Sequence, residues 1–156
     1  VAGGRKGLTF LKPSPSDLTM KITLQRLDEH FHLEARNASH NSLQMDASPA
    51  IGGSEKGMRP MEVLLSSLGG CSSIDVILLL KKQRQEISFF EVELEGIREE
   101  RGDHAPFRNI HLHFKIGGRV DRNKAERAVS LSLEKYCTVA RILEPGTHIT
   151  HSVSIH

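Results

Sequence analysis

The longest apolar run in the chain extends from Met61 to Leu80, and a helix built from it is apolar on nearly every side. An ordinary surface helix shows one apolar stripe, whereas a helix apolar all round has to be enclosed by other layers. Glu62 and Asp75 interrupt the run, and glycines stand at 69 and 70. A membrane span asks for ~20 apolar residues almost free of charge, so the run is read as a central core helix rather than a span. Pro60 suits the first helical turn, where a missing N–H costs nothing. Glu62 places negative charge at the positive end of the helix dipole, and the helix is expected to reach about Gln83. Gly69 and Gly70 each cost roughly 1 kcal/mol of propensity relative to Ala. Either they admit a close neighbour beside Cys71, a backbone or a substrate, or the helix breaks there.

The segments around this helix alternate as strands do. MKITLQRL and HFHLEAR predict a hairpin turned at Asp28-Glu29, and Ser42 to Met45 a short third strand. Ser48 to Arg59 is a loop by its Gly, Ser and Pro content. After the helix, Ile87 to Arg98 and Arg108 to Ile116 predict a second hairpin, with Ile110, Leu112, Phe114 and Ile116 facing the core. Gly117-Gly118 is expected to end that strand. Asp121 is a good N-cap for a helix that is interrupted near Tyr136-Cys137 and resumes to Leu143. Pro145-Gly146 then turns the chain into a last strand, His148 to Ile155. The order β-β-β-α-β-β-α-β is that of an α+β fold with a long central helix. Residues 1–19 read as a loose, flexible N-terminal extension before Met20, and residues 20–156 as a single domain.

Composition excludes several function classes. Lys and Arg total 21 against 19 Asp and Glu, for a net charge of +2, and the basic residues are dispersed. Nucleic-acid binding needs a concentrated basic footprint, so none is expected, nor is a membrane partner. No basic segment followed by an apolar one opens the chain. Two cysteines in an otherwise ordinary composition suit a reducing cytoplasm, where a cysteine pair is more often catalytic or incidental than structural.

Those cysteines, Cys71 and Cys137, are 66 positions apart and both fall in expected helices. The spacing excludes a local metal knuckle or a CxxC loop. If the two helices pack together, the thiols meet in an apolar setting; otherwise each is a small core side chain. Reduction of a peroxide by cysteine needs an accessible thiolate, a group that keeps it ionised, a matching pocket and a second thiol. Cys71 lies too deep in its helix for the helix dipole to ionise it, so an arginine is expected from elsewhere. Arg26 and Arg59 are the candidates, with Arg36 behind them, and a solvated surface role is open for each. Glu62 either orients such an arginine or is an ordinary first-turn acid. Tyr136, the single tyrosine, lines a pocket or belongs to the core. Arg141 shares the Cys137 face only if that helix continues. His111 and His113, with His148 or His151, have a weak metal-like spacing that a solvated strand face explains equally well.

Several segments together resemble the OsmC/Ohr family, and within it the YhfA-like branch. They are HNSLQMD (40–46), RPMEVLLSSLGGCSSIDVILLLKK (59–82), NIHLHFKIGGR (109–119), SLEKYCTVARILE (132–144) and ITHS (149–152). The resemblance implies an OsmC-like fold, an intertwined homodimer with active sites at the subunit interface, and a thiol-dependent peroxidase acting on organic hydroperoxides. Carried over, Cys71 is the peroxidatic residue and Cys137 the resolving one, with Arg26 and Glu62 as catalytic partners. Arg59, Met61 and Tyr136 contribute to substrate binding. A dithiol or a lipoylated protein serves as reductant, and no cofactor or metal is implied. In the organic-hydroperoxide-resistance branch a glutamate directly follows the motif proline, and here that place is Met61. Glu62 stands one residue later, a helical rotation of roughly 100°. Arg26 is offset by about one position from the family arginine and lacks its glycines. The alternative implied by these departures is a redox-sensing or small-molecule-binding protein with little peroxidase turnover.

Overall fold

Three short alternating segments pair first. In the computed structural model, which describes residues 13–156, β1 (Ile22–Arg26), β2 (Leu33–Asn37) and β3 (Ser42–Met45) form an antiparallel sheet in that order. Residues 1–12 of the expected extension lie outside the described residues, and Pro15–Asp17 form a single 3-10 turn. Side-chain carboxyl and amide oxygens shape the connections, as Asp and Asn do in turns. Asp28 accepts the N–H groups of His30 and His32 at 2.9 and 3.3 Å. Asn37 accepts those of Ser39 and Asn41 at 3.0 and 2.9 Å. Buried Asp46 gathers the following loop by accepting from Ala47, Ser54 and Lys56. These donors hold its carboxyl below the usual range, Lys56 N–H foremost.

The chain divides into two compact units at Val63, and this sheet belongs to the first. All five residues of β1 are exposed.

The central helix α1 spans Pro60–Lys82 without a break at its glycines. At its start the Glu62 carboxylate accepts the Arg59 N–H at 2.8 Å, the returning half of a capping box. At its end Arg84 takes a left-handed conformation, and Gln85 and Arg84 donate back to Leu80 and Lys81. That is a Schellman closure with arginine where glycine is usual.

Within the second unit α1 lies against a sheet ordered β4 (Glu86–Arg98), β5 (Phe107–Arg119) and β6 (His148–Ile155). A methyl group on Gly69 would stand 2.7 Å from Leu94 of β4, so this glycine admits a close side chain, while Gly70 faces open space. β4 and β5 pair antiparallel, and β6 joins β5 in parallel. Leu68, Val76 and Leu80 of α1 are fully buried, as are Ile110, Leu112, Phe114 and Ile116 of β5. Complete burial of such side chains stabilises by about 1.5–3 kcal/mol each.

Two expectations are corrected. Gly117-Gly118 does not end β5, which runs on to Arg119 through a register shift opposite Ile87 and Phe89. Gly118 has φ +118°, and a Cβ there would lie 2.2 Å from the Glu86 carbonyl oxygen, so the glycine marks a bulge rather than a stop. Nor is α1 enclosed on every side: Ile74 is 62% exposed, because a three-stranded sheet covers only one face of a helix.

The crossover from β5 to β6 carries the remaining helices. Asp121 caps α2 (Arg122–Leu131) by accepting the Lys124 N–H at 2.9 Å. A π-helical turn, Ser132–Tyr136, follows, then Cys137 and the short helix α3, Thr138–Leu143. This is the interruption and resumption expected from the sequence.

Candidate active site

Two features of the helices bring the site together. Cys71 and Asp75 are four residues apart on α1 and therefore share a face. The π-helical turn ends in extended geometry at Cys137, which caps α3 with its sulfur accepting the Ala140 N–H at 3.4 Å. Both cysteines are free; Cys71 is half-buried and Cys137 fully buried. The two sulfurs and a carboxyl oxygen of Asp75 all lie within 4.8 Å of one another. Ser132 fastens the arrangement. Its carbonyl accepts the Cys137 N–H at 2.8 Å, and its hydroxyl donates to Asp75 at 3.1 Å and to the Ser72 carbonyl at 3.3 Å.

The electrostatics separate the two thiols. Cys71 is lowered from its ordinary 9.0 to about 6, first by the Cys137 S–H that it accepts and then by the N–H groups of Val139 and Thr138. Burial and the negative charge of Asp75 work against that lowering. Cys137 is pushed upward, first because it donates to Cys71 and then by burial. Desolvation raises Asp75, and its bond from Ser132 partly offsets the effect. One sulfur is thus prepared as a thiolate and the other as a proton-bearing thiol.

The other expected site residues have defined surroundings. Arg26 donates from Nε to the Asp28 carbonyl at 2.7 Å and from Nη2 to the Glu29 carbonyl, which holds its own turn. Arg36 pairs with the Glu34 carboxylate at 2.6 Å. Arg59 and Glu62 are joined at the start of α1, and Met61 beside them is half-buried. All five belong to the unit that ends at Val63. Tyr136, half-buried, carries the Lys135 ammonium 5.4 Å from its ring centre. Arg141 turns to the Leu133 carbonyl and to Glu144. His111 and His113 are hydrogen-bonded to Thr150, Ser152 and Ser154 of β6. A cleft of about 850 Å³ lined in part by Arg101, Arg108, Arg141 and His148 includes none of Cys71, Asp75 and Cys137.

Asp75 and Ser132 are the members that sequence reasoning passed over. A signal existed for Asp75: a lone acid one helical turn after a cysteine, inside an otherwise apolar run. Ser132 had none, because its role depends on the π-helical turn.

The family model described as OsmC-like protein matches residues 53–152. The chain belongs to the OsmC-like family. Its segments place it in the YhfA branch: it is 43% identical over 122 residues to protein YhfA of Escherichia coli K12, covering 76% of this chain and 86% of that one. The OsmC-like fold recurs in the crystal structure of a hypothetical protein from Aquifex aeolicus VF5, with a TM-score of 0.72 and 30% identity over 88% of this chain and 98% of that one. It recurs also in an organic hydroperoxide resistance protein OsmC from Legionella pneumophila. There the TM-score is 0.67 and the identity 16%, over 87% of this chain and 96% of that one.

Proposed function

We propose that this OsmC-like protein is a thiol peroxidase that reduces organic hydroperoxides to alcohols. The observation that carries the reading is a thiolate-prone Cys71 beside a protonated Cys137. The Cys71 thiolate attacks the terminal peroxide oxygen, the O–O bond breaks and an alkoxide leaves as the alcohol. The resulting sulfenic acid condenses with Cys137, losing water and forming a disulfide, which an external dithiol or a lipoylated protein reduces. At a value of about 6, Cys71 is about nine-tenths ionised at pH 7. The family pattern assigns Arg26 as the cation that holds the anionic transition state and Glu62 as its orienting acid. Arg59, Met61 and Tyr136 then contact the organic group. Cytoplasmic residence follows from the need for a reducing dithiol.

The same reading includes an intertwined homodimer, supported by apolar side chains that one chain leaves open. Ile74 on α1 and Ile22 and Leu24 on β1 are all more than half exposed.

Stopped-flow oxidation of the reduced protein by cumene hydroperoxide, beside hydrogen peroxide, tests the reading. Fast thiol loss with the organic oxidant, abolished by Cys71→Ser and reduced to one unresolved oxidation by Cys137→Ser, is expected. Equal slow rates with both oxidants would overturn it. A redox sensor with little turnover is the second reading, favoured by Met61 at the family's glutamate place and by Arg26 engaged with its own turn. It predicts a single oxidation that dithiols reverse slowly.

A further inference from the structure

The thiol chemistry leaves unused a buried ionisable side chain that lies against both sulfurs. Asp75 is 8% exposed and lies on the Cys71 face of α1, within 4.8 Å of both sulfurs. Each half of the peroxidase reaction moves protons through that space. The alkoxide expelled by Cys71 needs a proton. The buried Cys137 must lose one before its sulfur can attack, although its bond to Cys71 and its burial both favour keeping it.

We propose that Asp75 is the proton relay of the thiol pair, protonating the departing alkoxide and then removing the Cys137 proton as that thiol attacks the sulfenic acid. The inference rests on the thiol-peroxidase reading and adds the group that moves its protons. In the first step the Cys71 thiolate, the hydroperoxide and the Asp75 carboxylic acid give sulfenic acid, alcohol and Asp75 carboxylate. In the second step the carboxylate takes the Cys137 proton, the S–S bond forms and the sulfenic S–O bond breaks. The leaving hydroxide takes that proton from Asp75 and departs as water. Two hydrogens from the reducing dithiol then restore the Cys137 thiol and the Asp75 carboxylic acid, leaving Cys71 as thiolate.

The surroundings suit both roles. The groups facing Asp75 are Cys71 on its own helix, and Cys137 and Ser132 on the segment packed against it. The Ser132 hydroxyl fixes one carboxyl oxygen while the sulfurs lie close by. Desolvation raises the carboxyl's hold on its proton, and an ionised Asp75 opposes an ionised Cys71. Charge on one therefore favours a proton on the other, the behaviour of a coupled pair.

Rapid-quench mass spectrometry of sulfenic acid decay, with dimedone trapping, reads the relay directly. In the wild type the decay to disulfide should be flat between pH 6 and 8, because an internal base removes the proton. Asp75→Asn should slow it about 100-fold or more at pH 7 and make it rise about tenfold per pH unit. Asp75→Glu should recover part of the rate. A wild-type decay that already rises tenfold per pH unit would overturn the relay without any variant. So would an Asp75→Asn decay that is unchanged, or slowed by one factor at every pH. Excess hydrogen peroxide generates the same sulfenic acid. If cumene hydroperoxide proves no better an oxidant, the peroxidase reading falls while the decay profile still decides the relay.

Discussion

A thiol in the middle of a helix is out of reach of its own helix's terminus, so Cys71 depends on what the rest of the fold brings to its sulfur. The first contribution is another thiol, and that makes a measurable dependence. Alkylation of Cys71 by iodoacetamide should be half-maximal near pH 6, as its lowered value implies. In Cys137→Ala the midpoint should move upward toward 9.0, because the S–H that lowers it most is gone. A midpoint indifferent to Cys137 would contradict the hydrogen bond. Asp75 makes a prediction of opposite sign. Its folded value is raised above the ordinary 3.8, so the stability it contributes is present below 3.8 and lost as pH rises through the raised value. Asp75→Asn, neutral at every pH, should therefore be more stable than the wild type at pH 7, with the difference shrinking toward pH 3.8. Urea unfolding across that range under reducing conditions measures it.

Among the elements, the crossover between β5 and β6 does the most to build the site. A continuous helix from Asp121 to Leu143 would carry Cys137 past α1 at an arbitrary rotation. The π-helical turn and the extended Cys137 reset that rotation, and Ser132 ties the result to α1. The β4–β5 bulge is the other special geometry. Gly118→Ala places a methyl group 2.2 Å from a backbone oxygen at a positive φ. It should cost about 1–3 kcal/mol, and each kcal/mol lowers Tm by about 2–4 °C in a chain of this size. Thermal unfolding checks it, and an unchanged Tm would mean the bulge can slide by a residue.

For the whole molecule, the distribution of apolar surface is the open matter. A three-stranded sheet is stable in water only when it has an apolar face to bury or a helix to pack on, and the first unit exposes Met20, Ile22, Leu24 and Phe31, while α1 exposes Ile74. Apolar side chains left open within each unit are what a second copy of the chain would cover. The proposed homodimer predicts a particle of twice the chain mass by size-exclusion light scattering. Ile74→Asp should shift it toward the monomer, whereas a wild-type monomer at micromolar concentration would remove the proposal.

Much of this was legible in the sequence, and the parts that were not share a cause. Strand alternation, the proline and acid at the start of α1, the Asp121 cap and the break at Cys137 are local signals, each set by the few residues around it. Those residues determined the element order and, through recurring segments, the family. The continuation of β5 through Gly117-Gly118 was not legible, because a glycine that stops a strand and one that relieves a clash with a partner strand read alike. Asp75 was visible as an acid in an apolar helix, but Ser132 and Cys137 beside it stand more than fifty positions away. Only the tertiary structure decided that two sulfurs and a carboxyl share one buried space. Their ionisation states follow from that space, since hydrogen bonds and desolvation act over a few ångströms of distance and not along the chain.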